Sequence, residues 1–148
     1  MFKFRFETVL TTRRNAEEVY QKELAEARRA LAVEQAALRD KRSTRRRCAQ
    51  ELQRTQRQGF RAPAIQLYGP YLARLERDID TQQKRVAGAE RKVNQKRSAL
   101  IEAVKKRKVL EKLKENDQKD HLNAMTLRDR KFMDDVASRH HAAAKQKI

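Results

Sequence analysis

The sequence predicts an all-α fold, a long antiparallel two-helix coiled coil. Three observations predict it: a composition dominated by helix formers, two seven-residue apolar lattices in opposite halves, and one cluster of helix breakers between them. Ala, Leu, Glu, Lys, Gln and Arg lose little side-chain freedom in a helix and fill most of the chain. Three glycines, two prolines and no tryptophan leave few turn signals to punctuate strands. The 148 residues suffice for one domain, 1–148, but at 39% charged and 39% apolar they supply little material for a globular core.

The first helix is expected over about 7–57. Leu10, Leu24, Leu31, Leu38 and Leu52 fall on one heptad lattice, interrupted by Glu17 and Arg45. The companion lattice three residues on carries Tyr20, Ala27 and Cys48 but also Arg13, Glu34 and Lys41, so the apolar stripe is narrow and suits a single partner helix. Some 50 residues at about 1.5 Å of rise give an arm of roughly 75 Å.

Gly59-Phe60-Arg61-Ala62-Pro63 and then Gly69-Pro70 are the breakers, and the chain must reverse there. The tip is assigned to 58–70, with a left-handed cap at Gly59 and a short helix over 63–68 opened by Pro63. Pro70 then starts the second helix, about 71–140. In that helix Leu72, Ile79, Val86, Val93 and Leu100 form a cleaner lattice, with Leu75, Ala89, Ala103 and Leu110 as companions. Past Val104 the register slips, because Arg107 and Lys114 occupy apolar positions and a new stripe begins at Leu122, Met125, Phe132, Met133 and Val136. The last third is therefore expected to leave the pair and overhang it. Acid-to-base pairs four residues apart, such as Glu18 with Lys22, Asp80 with Lys84 and Glu115 with Lys119, support the helices by a few tenths of a kcal/mol each. The sequence leaves open whether the two helices pair within one chain or between two.

Thirty-seven basic and twenty acidic residues give a net charge of +17, a field that draws in acidic surfaces of any kind. Nucleic acid is one such partner, but no helix-turn-helix or ribonucleoprotein-type pattern accompanies the charge, and no specific nucleic acid is expected. The basic run from Lys41 through Arg45-Arg46-Arg47 reads as a solvated face. A single cysteine, Cys48, excludes a disulfide scaffold within one chain and points to the cytosol. No apolar run approaches the roughly 20 residues of a membrane span, and the N-terminus lacks the apolar stretch of a signal peptide. His140 and His141 diverge by about 100° around a helix and cannot share one ion with His121, so no metal is expected. Without a phosphate loop, nucleophile elbow or paired-carboxylate cleft, the chain is expected to be no enzyme, to need no cofactor and to take no small-molecule substrate.

Three stretches carry a family resemblance. Phe4-Arg5-Phe6-Glu7-Thr8-Val9-Leu10 with Arg13 opens the chain, Leu100-Ile101-Glu102-Ala103 leads through Arg107-Lys108 to Leu110-Glu111-Lys112-Leu113-Lys114-Glu115, and Lys131-Phe132-Met133-Asp134-Asp135-Val136-Ala137 closes it. In this order the chain resembles the FliJ family, coiled-coil proteins of the flagellar type III export apparatus. Two features, Gly69-Pro70 and Arg45-Arg46-Arg47, depart from the pattern.

The resemblance implies a hairpin similar to the stalk (gamma) subunit of rotary ATPases. It also implies three kinds of partner: the flagellar export ATPase hexamer, a membrane export gate protein, and export chaperones. It places the protein in the cytoplasm, peripherally associated with the inner membrane at the export apparatus. Carried onto this sequence, gate binding falls to Tyr71, Leu72, Leu75 and Gln82. ATPase binding falls to Phe4, Phe6, Val9, Leu10, Leu110, Leu113 and Phe132. Leu24, Leu31, Leu38, Leu52, Ile79, Val86, Val93 and Leu100 are assigned to the coiled-coil core. The implied function is a coupling rod between ATP hydrolysis and export. The equivalent stalk protein of a virulence secretion system and a basic nucleic-acid-associated coiled coil are the alternatives, and self-association of the overhang fits any of them. Aromatic residues at the tip, Phe60, Tyr68 and Tyr71, are the expected anchors there.

Overall fold

The structure, a computed structural model, describes residues 1–59 and 62–145, without the side chains of 62–64. Phe60 lies outside the described residues. The described chain forms two helices, α1 (Glu7–Arg57) and α2 (Ala62–Lys145), packed against each other, with no strand among the described residues. The chain divides into two compact units, Glu17–Glu102 and Met1–Ala16 with Ala103–Ile148.

In the unit Glu17–Glu102 the two lattices meet. Leu24, Ala27 and Val93 are buried together, with Leu31 and Leu100 packed against them. Leu38, Cys48, Leu75 and Ile79 continue the buried seam, and Leu52 and Val86 are half-buried along it. Each enclosed Leu, Ile or Val contributes about 1.5–3 kcal/mol by leaving water. Lys96 pairs with Glu23 at 2.8 Å and Arg45 with Glu76 at 2.9 Å, so rising numbers on α1 meet falling numbers on α2 and the pairing is antiparallel. Arg45 keeps its place on the lattice by staying exposed and reaching across to that carboxylate.

α1 ends as the sequence demands. Arg54 and Arg57 complement the negative end of the helix dipole. Gly59 takes φ 71°, the left-handed conformation that a side chain disfavours, and its N–H donates to the Gln56 carbonyl at 3.3 Å.

The start of α2 corrects the expected tip. There is no separate helix over 63–68, because α2 begins at Ala62 and runs through Gly69 and Pro70 without interruption. Pro70 has no N–H to give to the Gln66 carbonyl, a loss that costs about 3 kcal/mol inside a helix. Packing offsets it: Ile65 and Tyr68 lie one heptad before Leu72 and Leu75, and all four are half-buried or buried on the same stripe. The apolar lattice crosses the proline, and the helix follows the lattice.

In the unit Met1–Ala16 with Ala103–Ile148, the expected slip does not separate the helices at Arg107. Phe4, Leu10 and Ala103 are buried, Leu10 completely at 0% exposure, and Leu110 is half-buried. Phe4 stacks edge-on to Phe6 at 5.9 Å, and Phe2 lies 5.6 Å from the His121 ring. Lys114, on an apolar lattice position, sets its ammonium 5.9 Å over the Phe4 ring and pairs with Glu7 at 2.7 Å. From Leu122 onward, Leu122, Met125, Leu127, Phe132 and Met133 are exposed.

Candidate interaction surfaces

Two antiparallel helices build no enclosed cleft, so chemistry on this molecule is a matter of faces. Among the described residues no group of His, Cys, Asp and Glu could hold a metal ion, and no helix is long and apolar enough to cross a membrane. Three surfaces remain.

The first is an open groove of about 630 Å³ lined by Arg42, Arg45, Arg46, Ala49, Glu76, Ile79, Asp80 and Gln83. Spacing on α1 brings Arg42, Arg46 and Ala49 onto one side, and α2 answers with Glu76 and Asp80 one turn apart. The arginine run is thus met by carboxylates from the other helix and is in part neutralised.

The second surface is the beginning of α2. Tyr71 is 48% exposed, and Leu67 one turn earlier is 77% exposed. Leu72 is half-buried, and Leu75 at 9% and Gln82 at 2% lie in the seam. The four residues expected to bind a gate therefore divide: Tyr71 faces outward, and the others hold α2 against α1. Gln82 is the clearest correction. Its amide nitrogen donates to the Glu34 carbonyl at 3.0 Å and to the Glu34 carboxylate, and its amide oxygen accepts from Lys41 Nζ at 3.5 Å. A side chain so enclosed has no capacity left for a partner.

The third surface belongs to the unit with the chain's N-terminus. Of the residues expected to bind an ATPase, Phe4 and Leu10 are buried, and Phe6 and Leu110 are half-buried. Val9, Leu113 and Phe132 are exposed. A polar cluster braces this unit: Glu111 accepts from Arg107 at 2.6 Å and from Arg14 at 3.2 Å, joining α2 to α1. Those hydrogen bonds, the Arg107 bond foremost, lower the Glu111 pKa below its ordinary value. Glu115 accepts from Lys119 at 2.8 Å and Lys112 at 2.9 Å, which lowers its pKa to about 2.

Sequence reasoning missed Glu34, Lys41 and Gln82 as a connected group, and Arg14 with Glu111. The signal for the first was present, since Glu34 and Lys41 share the α1 companion lattice and Gln82 sits seven residues from both Leu75 and Ala89. Polar residues at matched seam positions indicate a buried polar layer.

The sequence model of the flagellar FliJ protein matches residues 2–146. The chain belongs to the FliJ family. Membership makes it a component of the type III export apparatus. No curated protein matches it significantly. Among solved structures, one described as a YscO homologue from Chlamydia trachomatis is similar, with 23% identity, a TM-score of 0.72 and coverage of 100% of both chains. At that identity the likeness is one of fold, and it shows the FliJ-family chain to share a two-helix hairpin with that protein.

Proposed function

We propose that this FliJ-family chain is a non-enzymatic coupling subunit of a flagellar export apparatus. It binds the export ATPase ring through the unit that holds its N-terminus, and a membrane export gate through the start of α2. The observation that carries the reading is the family match over residues 2–146, which takes in the opening, penultimate and closing motifs alike. Exposed Val9, Leu113 and Phe132, with Leu122 and Met133 beyond them, supply the apolar area that a helix lays into a partner's groove. Tyr71 is the aromatic anchor for the gate, and Leu72 and Leu75 set its position from within the seam. The positive charge steers the chain toward acidic rims of the ring, an attraction that weakens with salt. Escort of export chaperones belongs to the same reading.

The test mixes the purified chain with the export ATPase and follows hydrolysis rate and ring assembly. Stimulation that is lost on Phe132→Ala/Leu113→Ala supports the assignment, and an ATPase indifferent to the chain overturns it. A second reading, the equivalent subunit of a virulence secretion system, is favoured by the end-to-end likeness to the YscO homologue. Restoration of export in a strain lacking one system's subunit but not the other's decides between the two.

A further inference from the structure

Between Glu51 and Glu76 the sequence holds Arg54, Arg57, Arg61 and Arg74 and no acidic residue at all. Nearer the middle of the chain some basic residues are met from the facing helix, as Arg45 is by Glu76 and Lys96 by Glu23. These pairings put Arg54 level with residues 65–67 and Arg57 level with residues 62–64, and the sequence holds no acidic residue there to neutralise them. Arg54, Arg57 and Arg74 are exposed and, among the described residues, engaged in no ion pair.

The same segment carries unpartnered apolar surface. Leu67 and Tyr71 are one turn apart and exposed, and Arg74 follows on the same side of α2. A bare leucine, a tyrosine whose ring is apolar and whose hydroxyl is polar, and arginines with long stems make up the composition that suits a lipid headgroup region. There the ring and leucine enter the acyl boundary while the guanidiniums meet phosphates.

From this juxtaposition we propose that the end of the hairpin where α1 passes into α2 is a docking surface for an anionic membrane, with Arg54, Arg57 and Arg74 on lipid phosphates and Leu67 and Tyr71 inserted between headgroups. Charge complementarity selects that occupant. Nucleic acid would use the arginines but leave Leu67 without a role. The groove of Arg42, Arg45 and Arg46 is the poorer site, because Glu76 and Asp80 line it too. The surface shares Tyr71 with the proposed gate contact, but binding to protein-free lipid does not require the gate.

The experiment uses the full chain and vesicles without any protein, of phosphatidylcholine alone or with phosphatidylglycerol, read by co-sedimentation. The expected result is binding only to the anionic vesicles. Arg54→Gln/Arg57→Gln/Arg74→Gln should lose roughly 100-fold in partition coefficient, at about 1 kcal/mol per basic residue near the surface. Leu67→Ala/Tyr71→Ala should lose several-fold at unchanged helix content, because both side chains are exposed. A control of equal net charge, Arg28→Gln/Arg29→Gln/Arg39→Gln, should keep most of the binding. Equal loss in the control would show that diffuse charge attracts the membrane, and would overturn the proposal. So would indifference to the Leu67 and Tyr71 changes, or a triple-arginine variant that loses duplex RNA but keeps vesicles. Failure on vesicles would leave the ATPase and gate reading standing, because no protein partner is present.

Discussion

Gln82 offers the sharpest test of how the two helices find their register. It is 2% exposed and bonds to Glu34 twice and to Lys41 once, while the buried residues around it on the seam are apolar. Truncation by Gln82→Ala removes the two strong hydrogen bonds to Glu34, worth about 1 kcal/mol each net, and leaves a gap where the amide stood. The bond from Lys41 is long and adds little. Glu34 and Lys41 are half-buried and recover part of their solvation, which limits the loss to about 2–3 kcal/mol, or roughly 5–10 °C in Tm for a chain of this length. Gln83→Ala, one residue away and exposed, should fall within about 0.5 kcal/mol of the parent. Gln82→Leu is the informative partner. It refills the gap without the amide and should match the parent in Tm, since apolar replacement of a buried polar group is often neutral or stabilising. It should also cost specificity, because without the amide that bonds Glu34 and Lys41 the seam is held in register by fewer polar contacts and pairs more readily after a slip of one heptad, about 10 Å. Spin labels at Glu26→Cys and Lys92→Cys, in a Cys48→Ala background, span the two helices across one groove. Their distance distribution should be single with Gln82 and broadened or doubled with leucine. Equal melting of Gln82→Ala and Gln83→Ala would refute the buried seat, and a single sharp distance in Gln82→Leu would refute the register role.

The seam proper gives a second prediction: Leu31→Ala or Val93→Ala should each lower stability by about 2 kcal/mol in chemical denaturation, and unchanged midpoints would show the lattice to be misassigned. Tyr71→Ala and Leu75→Ala should part company, the first leaving Tm within about 2 °C and the second lowering it by roughly 5 °C or more, since only Leu75 is enclosed; equal effects in thermal melts would contradict the placement. Glu115, held at about 2 by Lys119 and Lys112, has a folded pKa below its ordinary 4.5. Its contribution is therefore present above about pH 4.5 and lost as pH falls toward 2. Carboxyl NMR titration should find it still ionised at about pH 3, and Lys112→Ala/Lys119→Ala should restore the ordinary midpoint; a parent midpoint near 4.5 would contradict the pairing.

The pairing itself was legible because heptad phase is a strong signal: Leu10, Leu24 and Leu38 on one helix and Ile79 and Val93 on the other are buried, each on its lattice. Gly59 was legible because a left-handed cap has few other solutions. The tip was misjudged at Pro70, where a local rule was given more weight than the lattice running through Ile65 and Tyr68. A missing hydrogen bond costs a fixed amount, whereas packing on both sides of the proline accumulates. The same preference for residue type over phase made Arg107 and Lys114 read as a slip, although a long aliphatic stem serves a seam position while its charge bonds at the edge.

Phase also explains why the expected binding residues divided as they did. Leu72, Leu75 and Gln82 fall on the two seam lattices, so any geometry that pairs the helices must enclose them. Tyr71 and Leu67 fall off both, and the same geometry must expose them. Residue type alone cannot separate a leucine that binds a partner from one that binds the neighbouring helix, since both are apolar for the same reason. In a two-helix molecule the surface residues worth testing are accordingly the apolar ones out of phase. Among these on α2 are Leu67 and Tyr71, which stand in a stretch without a single carboxylate, and Leu113, which stands among ion-paired lysines and glutamates. That difference in company argues for different partners, an anionic one for the first pair and a groove of mixed charge for the second.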